Sequence, residues 1–191
     1  GGTGVVYKAL ETKLNRVVAL KFFHDQSFNT KEQKTLLIKE AQAAAALNHP
    51  NIRTIYEIDE TDEYLFMSMA FIEGSSLKKK LHDGPLNLEA AASIASQVAD
   101  GLEAAHKKGI IHRNLNSANI MITDRGLMKI LNFGLAPPSI NADAGANFTF
   151  IDAAAYLSPE QLRDEDTDQR TDIWSWGVVF YEMLTGHACI H

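Results

Sequence analysis

The chain opens on Gly1-Gly2-Thr3-Gly4, and glycine lacks the Cβ that holds a backbone N–H away from a ligand. Such a run can bring amides up to phosphate oxygens. Lys21 stands inside the apolar run Val17 to Phe23. On a strand of period two it shares a face with Val17, Ala19 and Phe23, where an ammonium without a partner is costly. Glu40 falls on a helical stripe with Leu36, Leu37, Ala44 and Leu47, so it too is expected to point inward. Lys21 and Glu40 each lack a local partner, and each can serve the other. At the other end His187 and His191 lie at i, i+4 with Cys189 between them, a fragment of a metal-ligand set with no further ligand nearby in sequence. Lys78-Lys79-Lys80 reads as a solvated helix face.

These groups need elements to position them. Val5-Val6-Tyr7 and Val17 to Phe23 have the β-branched and aromatic content of strands, separated by a turn at 13–16. Residues 31–47 read as a helix rich in Ala, Leu, Glu and Lys, stopped by Asn48-His49-Pro50. Strands follow at Arg53 to Ile58 and Tyr64 to Phe71, giving the order β, β, α, β, β. At 72–76 the character changes to mostly helical, which divides the chain into 1–71, a hinge at 72–76, and 77–191. Residues 88–108 form an amphipathic helix with Ile94, Val98, Leu102 and Ala105 on one stripe and Gly109 as its stop. Two short strands, Ile120 to Thr123 and Met128 to Leu131, flank the turn at 124–126. Residues 137–150 read as a mobile loop. Asp172 to Leu184 has nine apolar residues of thirteen, spread around the helix, the pattern of one buried on every side.

At 191 residues, 46% hydrophobic and 22% charged, the composition suits one globular domain with a real core and excludes a disordered or disulfide-stapled chain. A net charge of −6 argues against a general nucleic-acid or anionic-membrane binder. The single Cys189 forms no internal disulfide and no apolar run approaches a membrane span, so a cytoplasmic chain without a membrane segment is expected. With no initial Met and a motif already under way at Gly1, a chain truncated at both ends is also expected.

The ordered set Gly1-x-x-Gly4-x-Val6, Val18-Ala19-Leu20-Lys21, Glu40, His112-Arg113-Asn114, Asn119, Asn132-Phe133-Gly134, Ser158-Pro159-Glu160 and Asp172-Ile173-Trp174-Ser175 resembles the protein kinase family. Gly4 to Ala9, Leu47 to Ile52 and Tyr156 to Gln161 are most similar to bacterial Ser/Thr kinases. The resemblance spans the whole chain and implies an α+β, two-lobed fold: a small antiparallel β lobe with one helix, and a mainly helical second lobe. It implies that Gly1, Gly2, Thr3 and Gly4 cover nucleotide phosphates and that Lys21 holds the α- and β-phosphates while pairing with Glu40. Val6, Ala19 and Met121 would sandwich an adenine. Met69 would be the gatekeeper, and Ala70 to Ile72 the backbone that meets the base edge. Asn119 would hold a second Mg²⁺. His112, Phe133, Ile55 and Ala44 would stack as a regulatory spine, and Asp172 would hold the catalytic loop. Arg113 could meet a phosphate on Thr149 or Ser139.

The chain departs from that pattern at five places. Asn114 replaces the catalytic Asp, Asn116 the phosphate-steadying Lys, and Asn132 the Asp that binds Mg²⁺. Asp152-Ala153 stands for the usual Gly-Thr, and Ala70 for an acidic hinge residue. An amide is no general base at neutral pH, a role worth about 10²- to 10⁴-fold. It also offers a hard cation a neutral oxygen in place of a carboxylate. The expectation is a pseudokinase-like domain that binds a nucleotide such as ATP, or a protein partner, with Mg²⁺ held poorly if at all. Two rivals are an active Ser/Thr kinase using unusual residues, and a non-functional or deliberately inactivated remnant. With family helices beyond residue 191 absent, Trp174, Trp176, Val179, Phe180 and Leu184 are expected to lose part of their cover, and the chain to be aggregation-prone.

Overall fold

The computed structural model describes residues 5–23, 30–61, 64–133 and 154–188. The glycine run at 1–4, the loop 137–150, Asp152-Ala153, and the Cys189 and His191 of the terminal cluster lie outside these residues.

Strands β1 (Val5–Glu11), β2 (Arg16–Phe23), β3 (Ile55–Glu60) and β4 (Leu65–Ala70) form an antiparallel sheet in the order β1-β2-β4-β3. Helix α1 (Lys31–Ala45) starts where the Thr30 side chain accepts from the Gln33 N–H, supplying one of the acceptors that a helix start lacks. It packs on the sheet through Ala41, with Leu37 and Ile38 beside it, and a small core of Phe23, Ala41, Leu65, Met67 and Met69 lies between them. Of the expected stripe, Ala44 and Leu47 are buried in the second core and Leu37 packs on this one, whereas Leu36 is 57% exposed. Val17 is exposed as well, because pairing of β2 with β4 begins only at Val18↔Ala70 and leaves Val17 beyond the covered part of the sheet.

A second sheet, β5 (Gly74–Ser76), β6 (Ile120–Thr123) and β7 (Met128–Ile130), follows with the order β5-β6-β7. Since 74–76 pair with β6, only 71–73 run between the two sheets. The rest is helical: α2 (Leu77–Leu81), α3 (Leu88–His106), α4 (Pro159–Leu162) and α5 (Gln169–Thr185). The expected stripe of α3 is buried throughout, capped by Asn87 and ended at Gly109, whose φ of +71° is one that glycine tolerates best. Gly101 on that helix lets Ile130 and Asn51 approach, since a Cβ there would sit 2.9 Å from Ile130 Cδ1.

Helix α5 differs from expectation. Val178, Val179 and Met183 are buried, whereas Ile173, Trp174, Tyr181 and Leu184 are exposed, so one face packs inward and the other does not. The mixed apolar and polar sequence could not reveal which face had cover. No helix among the described residues is long and apolar enough to cross a membrane.

Segment 51–53 ties the halves together. Ile130 N–H donates to Asn51 O at 2.8 Å and Arg53 N–H to Ile130 O at 2.9 Å, while the buried Asn51 amide donates to Met128 O and to Gln97 Oε1. Ile55 packs against both hydrophobic cores.

Candidate nucleotide site

The loop 112–119 leads into β6, and helix α5 holds it from beneath. Asp172, fully buried at the start of α5, accepts the His112 N–H on Oδ2 and the Arg113 N–H on Oδ1, both at 2.8 Å, with His106 Nε2 2.7 Å from Oδ2. Two backbone amides and an imidazole therefore converge on one carboxylate, which fixes where the loop begins. The His112 ring is fully buried, and burial pushes its pKa down against the charge of Asp172. Its contacts agree with a neutral ring: Nε2 donates to Leu131 O at 2.7 Å and Nδ1 accepts the Asn114 N–H at 3.2 Å. The ring meets Phe133 edge-on with centroids 4.7 Å apart, and Phe133, Ala44 and Ile55 share the same apolar core.

Helix α5 supplies a second carboxylate that the sequence reading missed. Glu182, 7% exposed, accepts from Ser117 Oγ at 3.0 Å and from Tyr156 OH at 2.7 Å. The far end of the loop and the segment before α4 are thus joined to the same helix. An acid inside the apolar run Val178 to Leu184 is the available signal. Gln161 adds a further tie, donating to Arg113 O at 2.7 Å.

On the upper surface of the loop the four asparagines engage one another. Asn116 Oδ1 accepts from the N–H groups of Ala118 and Asn119, and its Nδ2 donates to Asn114 O at 3.1 Å and Asn114 Oδ1 at 3.2 Å. It caps the 3₁₀ turn at 117–119, which a short amide can do and a lysine cannot. Asn119 Nδ2 donates to Asn114 O, and Asn119 Oδ1 accepts from Asn132 Nδ2, both at 2.8 Å. The oxygen of Asn119 that would face a cation is therefore occupied by an N–H donor. This donor set, neutral amides hydrogen-bonded to each other, does not fit Mg²⁺, which favours carboxylate and phosphate oxygens in strict octahedral geometry.

Lys21 is buried on β2 opposite Val6 and Met67, as its strand parity predicts. Its Nζ lies 5.1 Å from the centroid of the Phe23 ring. Burial, and then the positive charge of Arg53, lower its pKa to about 8. The expected Lys21–Glu40 pair requires correction. Glu40 Oε1 is held by Arg113 Nη1 at 2.8 Å, and its part-exposed side chain faces loop 112–119. Arg113, with φ +62° and its N–H pinned on Asp172, reaches up to it. Its guanidinium is thus paired with a carboxylate, while Ser139 and Thr149 lie outside the described residues.

The residues expected around a base are partly brought together. Ala19 and Met69 are buried cross-strand partners, Met121 is half-buried on β6, and Ile72 is half-buried just past β4. Val6 on β1 is 53% exposed. The Ala70 carbonyl oxygen, on the backbone expected to meet the base edge, accepts from Arg53 Nε at 2.9 Å. Arg53 was absent from the expected site, although an arginine following the apolar Ile52 at the head of a strand was a visible anomaly. Burial lowers its pKa to about 10.

The protein kinase domain family matches residues 1–191. A probable serine/threonine-protein kinase of Clostridium perfringens is 40% identical over 97% of the chain, and the chain covers 27% of that protein. The serine/threonine-protein kinase PknL of Mycobacterium tuberculosis is 38% identical over 98% of the chain and 47% of its own length. PrkC, a serine/threonine-protein kinase of Bacillus subtilis, is 34% identical over 97% of the chain and 29% of its own length. The chain thus spans between about a quarter and a half of these relatives. With its antiparallel sheet and single packed helix above a mainly helical half, the chain belongs to the protein kinase domain family and is related to bacterial Ser/Thr kinases.

Proposed function

We propose that this kinase domain binds a nucleotide without efficient phosphoryl transfer and acts as a pseudokinase, through ligand occupancy or a protein partner. The carrying observation is the closed amide network of Asn114, Asn116, Asn119 and Asn132. A kinase positions a base, a cation and Mg²⁺ around the transferred phosphoryl group, since its catalysis is almost entirely placement and electrostatics. Here the base position is an amide, the cation position is a turn cap, and a metal-facing oxygen accepts from a neighbouring amide. None of the three supplies charge.

In this reading Lys21 attracts the phosphates, the glycine run approaches them with backbone N–H groups, and Ala19, Met121 and Val6 enclose the base. None of these contacts needs a metal ion. Mg²⁺ neutralises the phosphates that Lys21 attracts, so it weakens that contact. The test is thermal stabilisation by ATP in EDTA and in Mg²⁺. Stabilisation in EDTA should equal or exceed that in Mg²⁺ and be largely lost in Lys21→Ala. A shift that needs Mg²⁺ would overturn the metal-independent reading, and efficient Mg-ATP turnover by the pure protein would overturn the pseudokinase one.

A further inference from the structure

We propose that Arg53 sets base selectivity in the cleft, favouring a purine nucleotide with a carbonyl at position 6 over one with an amino group there. The inference rests on the nucleotide-binding reading above and names the ligand class of that site. Three observations carry it. First, Arg53 stands where the two halves meet: its N–H is fixed on Ile130 O in β7, and its Nε donates to Ala70 O at the end of β4, each at 2.9 Å. The Ala70 carbonyl, part of the backbone expected to meet the base edge, already accepts from a cation. Second, among the described residues neither Nη nitrogen has a hydrogen-bond partner and no carboxylate pairs with the guanidinium. Third, no buried side-chain nitrogen or oxygen among those residues lacks a partner, so these Nη groups reach solvent at the junction. The guanidinium is half-buried, close enough to Lys21 for its charge to depress that ammonium.

Arginine is a donor at every nitrogen and never an acceptor. An adenine edge brings its own donor, the 6-amino group, to a place where donors already stand. Hypoxanthine and guanine bring O6, an acceptor, and guanidinium recognition of O6 with N7 is among the commonest base contacts. Such a ligand also supplies the partner that a half-buried cation otherwise lacks. Arg53 therefore converts an acceptor edge into a donor edge.

ITP and ATP differ at the position in question, so their dissociation constants, measured in EDTA by calorimetry, isolate the effect. The unaltered protein should bind ITP on the order of tenfold more tightly than ATP. Arg53→Val should reverse the order by weakening ITP and strengthening ATP, and Arg53→Lys, which keeps charge but loses the planar fork, should fall between. Thermal melting of each variant checks folding, and the ratio on the unaltered protein requires no variant. Equal affinities, or an ATP preference unchanged by Arg53→Val, would overturn the selectivity and leave nucleotide binding standing. If neither nucleotide binds either protein, both fall together.

Discussion

The underside and the upper surface of loop 112–119 are built from opposite materials. Beneath, two buried carboxylates, Asp172 and Glu182, receive backbone amides, hydroxyls and an imidazole, and each acceptor is matched. Above, where chemistry would occur, the side chains are amides satisfied by one another. Buried carboxylates hold a shape at high cost if broken, whereas part-buried neutral amides hold a shape at lower cost and supply no charge. The residues that fix loop 112–119 in place are thus distinct from those that line its upper surface.

The contrast is most severely tested by restoring charge above. In a full-length protein carrying this domain, Asn114→Asp, Asn116→Lys and Asn132→Asp together should raise phosphoryl transfer by about 10²- to 10⁴-fold. Single changes should do little, since the groups act as a unit. A radiolabel-transfer assay reads both, and a triple variant no faster than its parent would break the comparison. Next in size is the removal of charge below. Asp172→Ala strands two amides and His106 and should cost about 3 kcal/mol, a fall of roughly 6–12 °C in Tm for a domain of this size. Asn132→Ala on the upper surface should cost about 1 kcal/mol or less. Equal losses would show that the two surfaces share the structural work.

The smallest effect is a pH dependence at Lys21. Its folded pKa, about 8, lies below the unfolded value, so between pH 8 and about 10.5 the unfolded chain holds more protons at this position. That group's contribution to stability therefore rises with pH across the window. Anion affinity behaves oppositely, because phosphate needs the ammonium: nucleotide binding should weaken as pH passes 8. Lys21→Met should flatten both trends, which paired melting and binding titrations would reveal.

Much of the fold was legible because its elements are strongly periodic. The strand parity of Lys21 and the stripe of α3 both correspond to buried positions in the structure. What escaped was tertiary partnership. On α1 the expected stripe holds at Ala44 and Leu47, but it does not say whether Glu40 meets Lys21 or Arg113. Family position supplied the first partner, and geometry the second. Arg53 escaped for another reason: its role depends on the Ala70 carbonyl, seventeen residues away, and no local pattern encodes that meeting. The asparagine substitutions were plain, but that they would bond to each other was not.

The fastening of segment 51–53 to β7 has a kinematic consequence. The halves are joined covalently through 71–73 and again through the Asn51–Ile130–Arg53 hydrogen bonds, and two fixed points on a rigid body leave a single rotation about the line through them. Arg53, bonded to both Ile130 and Ala70, lies along that axle, so its guanidinium would keep its place while the upper sheet swings. The Arg113–Glu40 pair adds a further link between the halves, from loop 112–119 to α1. An anion that drew Arg113 away would remove that link and leave the other two in place.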